Sequence, residues 1–152
     1  MKILIIEDDD IKREQIIHFM EESLPEINII AVRSVQGALK KITSNQFDLI
    51  ILDMTLPTFD YGRDENGGRI RAYGGRDILR QMDRHEIITP VIMVTQFDRF
   101  GKGDESLTLE ELDLELQSEH NRNYKGSVYY NAAYDDWKSS LRNLISKFAN
   151  EE

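Results

Sequence analysis

The chain has no cysteine. Disulfides, thiolate metal sites and cysteine nucleophiles are therefore excluded. It has only three prolines in 152 residues, and no apolar run of bilayer-spanning length. The opening stretch, MKILIIEDDD, is too short for a secretory leader and runs straight into acids. It is expected to be a buried strand in a cytoplasmic protein without membrane association. Basic charge is scarce as well: 19 Lys and Arg face 28 Asp and Glu, a net charge of −9. Nucleic acid is thereby disfavoured as a partner, because duplex binding needs clustered cations to displace counterions. Phosphate-cradling glycine signatures are also missing. Neither G-x-G-x-x-G nor a P-loop follows the first apolar run, where acids would repel phosphate.

What is present is an ordinary globular composition, 40% hydrophobic and 31% charged. The length suits one core, so residues 1–152 are expected to form a single domain. Continuous apolar runs at 2–7, 28–32, 49–52, 91–95 and 127–130 predict five buried strands. Helical spacing predicts helices between them. One runs from about Ile11 to Ser23, one follows Ser34 as N-cap, and one starts near Ile78. Thr108 and Glu111 form a capping box, with Leu107 and Leu112 placed as a hydrophobic staple, so a helix is expected over 109–119. Trp137, Leu141, Leu144, Ile145 and Phe148 define one face of a last helix. Strand–helix alternation of this length predicts an α/β fold, with a parallel sheet covered on both faces. The glycine-rich segment 58–75, with its echo YGRD and YGGRD, is expected to be a surface loop or irregular hairpin, and the polar segment 97–107 a loop.

In such sheets, sites lie beyond the carboxyl ends of the strands. Glu7, Asp8, Asp53 and Thr95 all fall there. Converging carboxylates repel each other and call for a counter-ion. A hard divalent cation such as Mg²⁺ meets that need with oxygen ligands, few carboxylates and several waters. An aspartate can also act as a nucleophile toward phosphorus. The simpler alternative is that acids after a strand favour a helix N-terminus, which is the expectation for Asp9 and Asp10. His18 is expected to be structural, and His85 and His120 exposed.

The runs ILIIEDDD, LIILDMTLP and PVIMVT, in this order, resemble the receiver domains of response regulators in two-component signalling. The resemblance implies a flavodoxin-like (βα)5 three-layer sandwich, a five-stranded parallel sheet of strand order 2-1-3-4-5. It implies a phosphoacceptor at Asp53, with Mg²⁺ held by the Glu7–Asp8 pair, Asp53 and the backbone carbonyl of Thr55. Pro57 matches the proline of the loop after the acceptor, and Thr95 the hydroxyl that bonds the phosphoryl group. A sensor histidine kinase or phosphotransfer protein is the implied phosphoryl source. The chain is expected to be a signalling part rather than an enzyme, with the acidic helix 109–119 and the last helix as output faces.

Three positions depart from the family. The lysine after the fifth strand is replaced by Asn131, and Gln96 stands where a small residue is usual. Val128 aligns with the aromatic switch position, with Tyr129 and Tyr130 beside it. An insertion could supply a substitute cation, from Arg63, Arg69, Arg71, Arg99 or Lys102; the simpler expectation is that the insertions are partner-binding or flexible loops. The alternative is a pseudo-receiver that acts by protein contact alone.

Overall fold

A computed structural model describes residues 1–60 and 70–149. Its centre is a five-stranded parallel sheet made of β1 (Lys2–Ile6), β2 (Asn28–Val32), β3 (Leu49–Leu52), β6 (Val91–Thr95) and β9 (Tyr124–Tyr129). The spatial order is β2-β1-β3-β6-β9, the expected 2-1-3-4-5. Order reverses between β1 and β3, so the ends of β1, β3 and β6 lie side by side. Full burial on both faces explains their continuous Ile, Leu and Val runs.

Five helices cover the sheet: α1 (Asp10–Ser23), α2 (Val35–Ser44), α3 (Gly74–Arg84), α4 (Leu109–Glu119) and α5 (Asp136–Ala149). One apolar layer joins α2, α3 and α4 to the sheet through Ala38, Ile42, Ile78, Leu79, Leu112 and Leu116. The other joins α1 and α5 through Ile16, Phe19, Met20, Trp137 and Leu141. Phe19 and Tyr130 both pack on Trp137, with ring centroids 5.4 and 5.3 Å away. The helix starts follow their capping chemistry. Asp9 accepts from the Lys12 amide, Ser34 from the Gly37 amide, and Thr108 and Glu111 complete the capping box.

One local feature follows the hairpin expectation and three differ from expectation. The segment after Asp53 is an antiparallel ribbon, β4 (Leu56–Pro57) with β5 (Ile70–Arg71); YGRD at 61–64 lies outside the described residues. The segment 97–107 holds a second ribbon, β7 (Arg99–Phe100) with β8 (Leu107–Thr108), around a 3-10 turn at Gly103–Glu105. Helix α3 begins at Gly74, four residues before Ile78. Glycine weakens a helix intrinsically, but this pair is needed for close approach. A Cβ on Gly75 would sit 2.7 Å from the Asp53 carbonyl oxygen, and one on Gly74 3.1 Å from Val35. Strand β9 starts three residues early and skips one residue in its pairing with β6 between Val91 and Ile92. The skip falls near Gly126, whose φ of +143° only glycine adopts readily.

Candidate functional site

Strand β3 ends in Leu52, and Asp53 follows at the sheet's carboxyl edge, only 4% exposed. Its amide donates to the Ile6 carbonyl at 3.0 Å, which ties it to the end of β1. One carboxylate oxygen accepts from the Met54 amide at 2.7 Å. The other faces the ammonium of Lys12 at 3.3 Å. The Gly75 amide donates to the Met54 carbonyl at 2.9 Å, so the start of α3 pins the turn after the acceptor.

Lys12 is the cation of this site. It lies in the first turn of α1 and is 1% exposed. Its Nζ donates to the Val94 carbonyl at 2.7 Å, and it lies 2.6 Å from Glu7 Oε1. The ring of Tyr130 flanks it, with Nζ 5.8 Å from the centroid. The Tyr130 hydroxyl in turn donates to Gln15 on α1 at 2.7 Å. A buried lysine is rare unless paired; here it is ringed by two carboxylates and a carbonyl.

Glu7 is buried, and both its oxygens are engaged: Oε1 by Lys12 and Oε2 by the Asp9 amide at 3.0 Å. Burial pushes its carboxyl up to about 7, the charge of Asp53 adds to the rise, and Lys12 opposes it. Asp8 is half-buried at the same edge. Asp9 and Asp10 stand at the start of α1, as expected; Asp9 caps it and Asp10 pairs with Arg13 and Arg33.

Thr95 is fully buried at the end of β6, and its hydroxyl oxygen accepts from the Phe97 amide at 3.1 Å. The Thr55 hydroxyl donates to the Ala72 carbonyl at 3.3 Å, which links the acceptor turn to the chain two residues before α3. Asn131 is exposed, and its side-chain oxygen accepts from the Ala133 amide at 2.9 Å, closing its own turn. Gln96 is exposed. Val128 is buried on the α1–α5 side, whereas Tyr129 is 50% exposed beside Asp98, Arg99, Thr108, Leu109 and Glu110.

Among the described insertion cations, Arg71 is held by Thr58 at 3.2 Å and Asp77 at 2.9 Å, and Arg99 reaches Ser106 at 3.5 Å. Lys102 is exposed. Arg63 and Arg69 lie outside the described residues. Among the described residues, the cation beside Asp53 is Lys12 of α1, outside both insertions. The sequence did carry a signal: Lys12, Ile16 and Met20 are spaced i, i+4, i+8, so Lys12 shares their buried face. His120 departs from its expected exposure. It is 4% exposed, its Nδ1 lies 2.6 Å from Asp83, and it continues the buried row of Leu112 and Leu116. His18 is exposed and pairs with Glu22 at 2.8 Å.

Residues 3–114 match the response regulator receiver domain. This chain belongs to that family. The receiver is 33% identical over 150 residues to the Detocs response regulatory protein DtcB of Enterobacter cloacae, covering 97% of this chain and 99% of that protein. It superposes on the receiver domain of the Francisella response regulator 1452 with a TM-score of 0.64 at 18% identity, over 99% and 98% of the two chains. The Thermotoga maritima response regulator TrrA, solved in complex with Mg²⁺-BeF, gives 0.57 at 17% identity, over 94% and 97%. The family match stops before β9, the strand after which the usual lysine would stand.

Receiver domains are signalling modules, and as a family they bind Mg²⁺. Among the described residues, no group of three or more His, Asp or Glu side chains is disposed to hold a metal ion. Both oxygens of Glu7 are engaged, by Lys12 and by the Asp9 amide. Asp8 and Asp53 are two carboxylates at the same sheet edge, and Mg²⁺ needs only one or two beside water and a phosphate oxygen. Among the described residues, no helix is long and apolar enough to cross a membrane.

Proposed function

We propose that this receiver accepts a phosphoryl group on Asp53 and signals through protein contacts. The observation that supports this most is the setting of the Asp53 carboxylate, fixed at the sheet edge between the Met54 amide and the Lys12 ammonium. A donor phosphohistidine, on a sensor histidine kinase or a phosphotransfer protein, would bring the phosphorus to it. A carboxylate oxygen attacks, the P–N bond breaks, and the imidazole leaves with a proton. Asp8, Asp53 and the Thr55 carbonyl would hold Mg²⁺, which offsets the charge of the carboxylate and the phosphoryl oxygens. The Thr95 hydroxyl accepts from the Phe97 amide, so its own proton is available to a phosphoryl oxygen. Kinship with a protein named as a response regulatory protein supports the same role.

The test is intact mass after incubation with phosphoramidate and Mg²⁺. One phosphoryl adduct is expected, absent in Asp53→Asn and absent when Mg²⁺ is chelated. No adduct together with no Mg²⁺ binding would overturn this function and leave the pseudo-receiver, acting by protein contact alone.

A further inference from the structure

We propose that Lys12, on α1, supplies the cationic contact to the phosphoryl group that other receivers draw from the loop after their last strand. This rests on Asp53 being the phosphoacceptor, as proposed above.

An ammonium has three N–H donors. Two of Lys12's contacts are short, to Glu7 at 2.6 Å and the Val94 carbonyl at 2.7 Å. They anchor the group to the ends of β1 and β6, on either side of β3. The third contact, to Asp53 at 3.3 Å, is long for a charge-assisted bond. The ammonium is thus held firmly by its neighbours and loosely by the acceptor. New phosphoryl oxygens on Asp53 would arrive on the side where Lys12 is least committed. The group is desolvated, which strengthens its attraction for the added negative charge. Tyr130 and Gln15 brace it from behind.

The position expected to hold a lysine cannot serve. Asn131 carries no charge, faces solvent and spends its side-chain oxygen on its own turn. Of the described insertion arginines, Arg71 is bound to Asp77 and Thr58, and Arg99 to Ser106.

The experiment is phosphoramidate labelling of the full chain with Mg²⁺, followed by intact mass over time, beside Mg²⁺ titration and thermal melting. Lys12→Met is expected to slow labelling on the order of 100-fold, as loss of one preorganised contact to developing charge does. Mg²⁺ binding through Asp8 and Asp53 should persist. The phosphorus-31 resonance of the slowly formed adduct should move, because its cationic neighbour is gone. If Lys12→Met fails to fold, Lys12→Met/Glu7→Gln, which leaves no unpaired acid at position 7, gives the same readouts. Labelling at the wild-type rate, or an unmoved resonance, would overturn the role of Lys12 while Asp53 remains the acceptor. Absence of labelling in the wild type overturns both, and Asp53→Asn then matches the wild type.

Discussion

Two buried polar clusters occupy opposite ends of the sheet, and they are built differently. At the carboxyl end, Lys12, Glu7 and Asp53 are all buried, each on a different element or loop. At the other end, His120, at the end of α4, and Asn123, just before β9, meet Asp83 of α3. There Asp83 spends one oxygen on His120 at 2.6 Å and the other on Asn123 at 3.3 Å, while Asn123 also reaches the Ile87 carbonyl. That lower cluster joins α3, α4 and β9, with His120 Nε2 and Asn123 Oδ1 buried and without a hydrogen-bond partner among the described residues. The upper one ends in a long, weak contact at Asp53.

Mutations can sharpen or break this contrast. The largest stability loss is expected for Gly75→Ala, on the order of 2–3 kcal/mol in urea unfolding, because the new Cβ meets the Asp53 carbonyl and α3 must retreat. Labelling of Asp53 should fall with it. Next comes His120→Ala, costing about 1–2 kcal/mol through the partners it leaves unsatisfied, with the labelling rate unchanged; a slowed rate would erase the distinction between the ends. Lys12→Met/Glu7→Gln should be more stable than Lys12→Met alone, since the double variant leaves one buried acid, Asp53, without its cation and the single variant leaves two. Its labelling should nevertheless be largely lost. A double variant that is both as stable and as fast as wild type would show the upper cluster to be dispensable. The smallest effect is expected for Asn131→Ala, below about 0.5 kcal/mol as for most exposed positions, with labelling at the wild-type rate.

The same contrast explains what was legible beforehand. Strand and helix placement followed from buried runs such as Leu49–Leu52 and from the Thr108–Glu111 capping box, signals that local chemistry alone produces, whereas strand order followed from the family resemblance. Asp53 and its neighbours at the strand ends were legible because topology brings those ends together. Lys12 and His120 were not, for one shared reason. Each sits at the end of a buried i, i+4, i+8 row, Lys12–Ile16–Met20 and Leu112–Leu116–His120, where a polar residue reads as the rim of the helix. Burial there depends on partners far along the chain, Val94 and Asp53 for one, Asp83 for the other. No local pattern encodes them. The early start of α3 was missed because the packing need of Gly74 and Gly75 outweighs their helix propensity.

The ribbon of β4 and β5 has a consequence for how this chain tolerates variation. Leu56 pairs with Arg71 and Pro57 with Ile70, which fixes both ends of the intervening segment within a few residues of Asp53. Closing a longer loop between fixed ends costs little, about 0.6 kcal/mol for each doubling of length. Insertions and deletions between positions 58 and 69 can therefore accumulate at small thermodynamic cost while the acceptor keeps its place. Relatives that differ in length there would present different partner-facing surfaces around an unchanged centre.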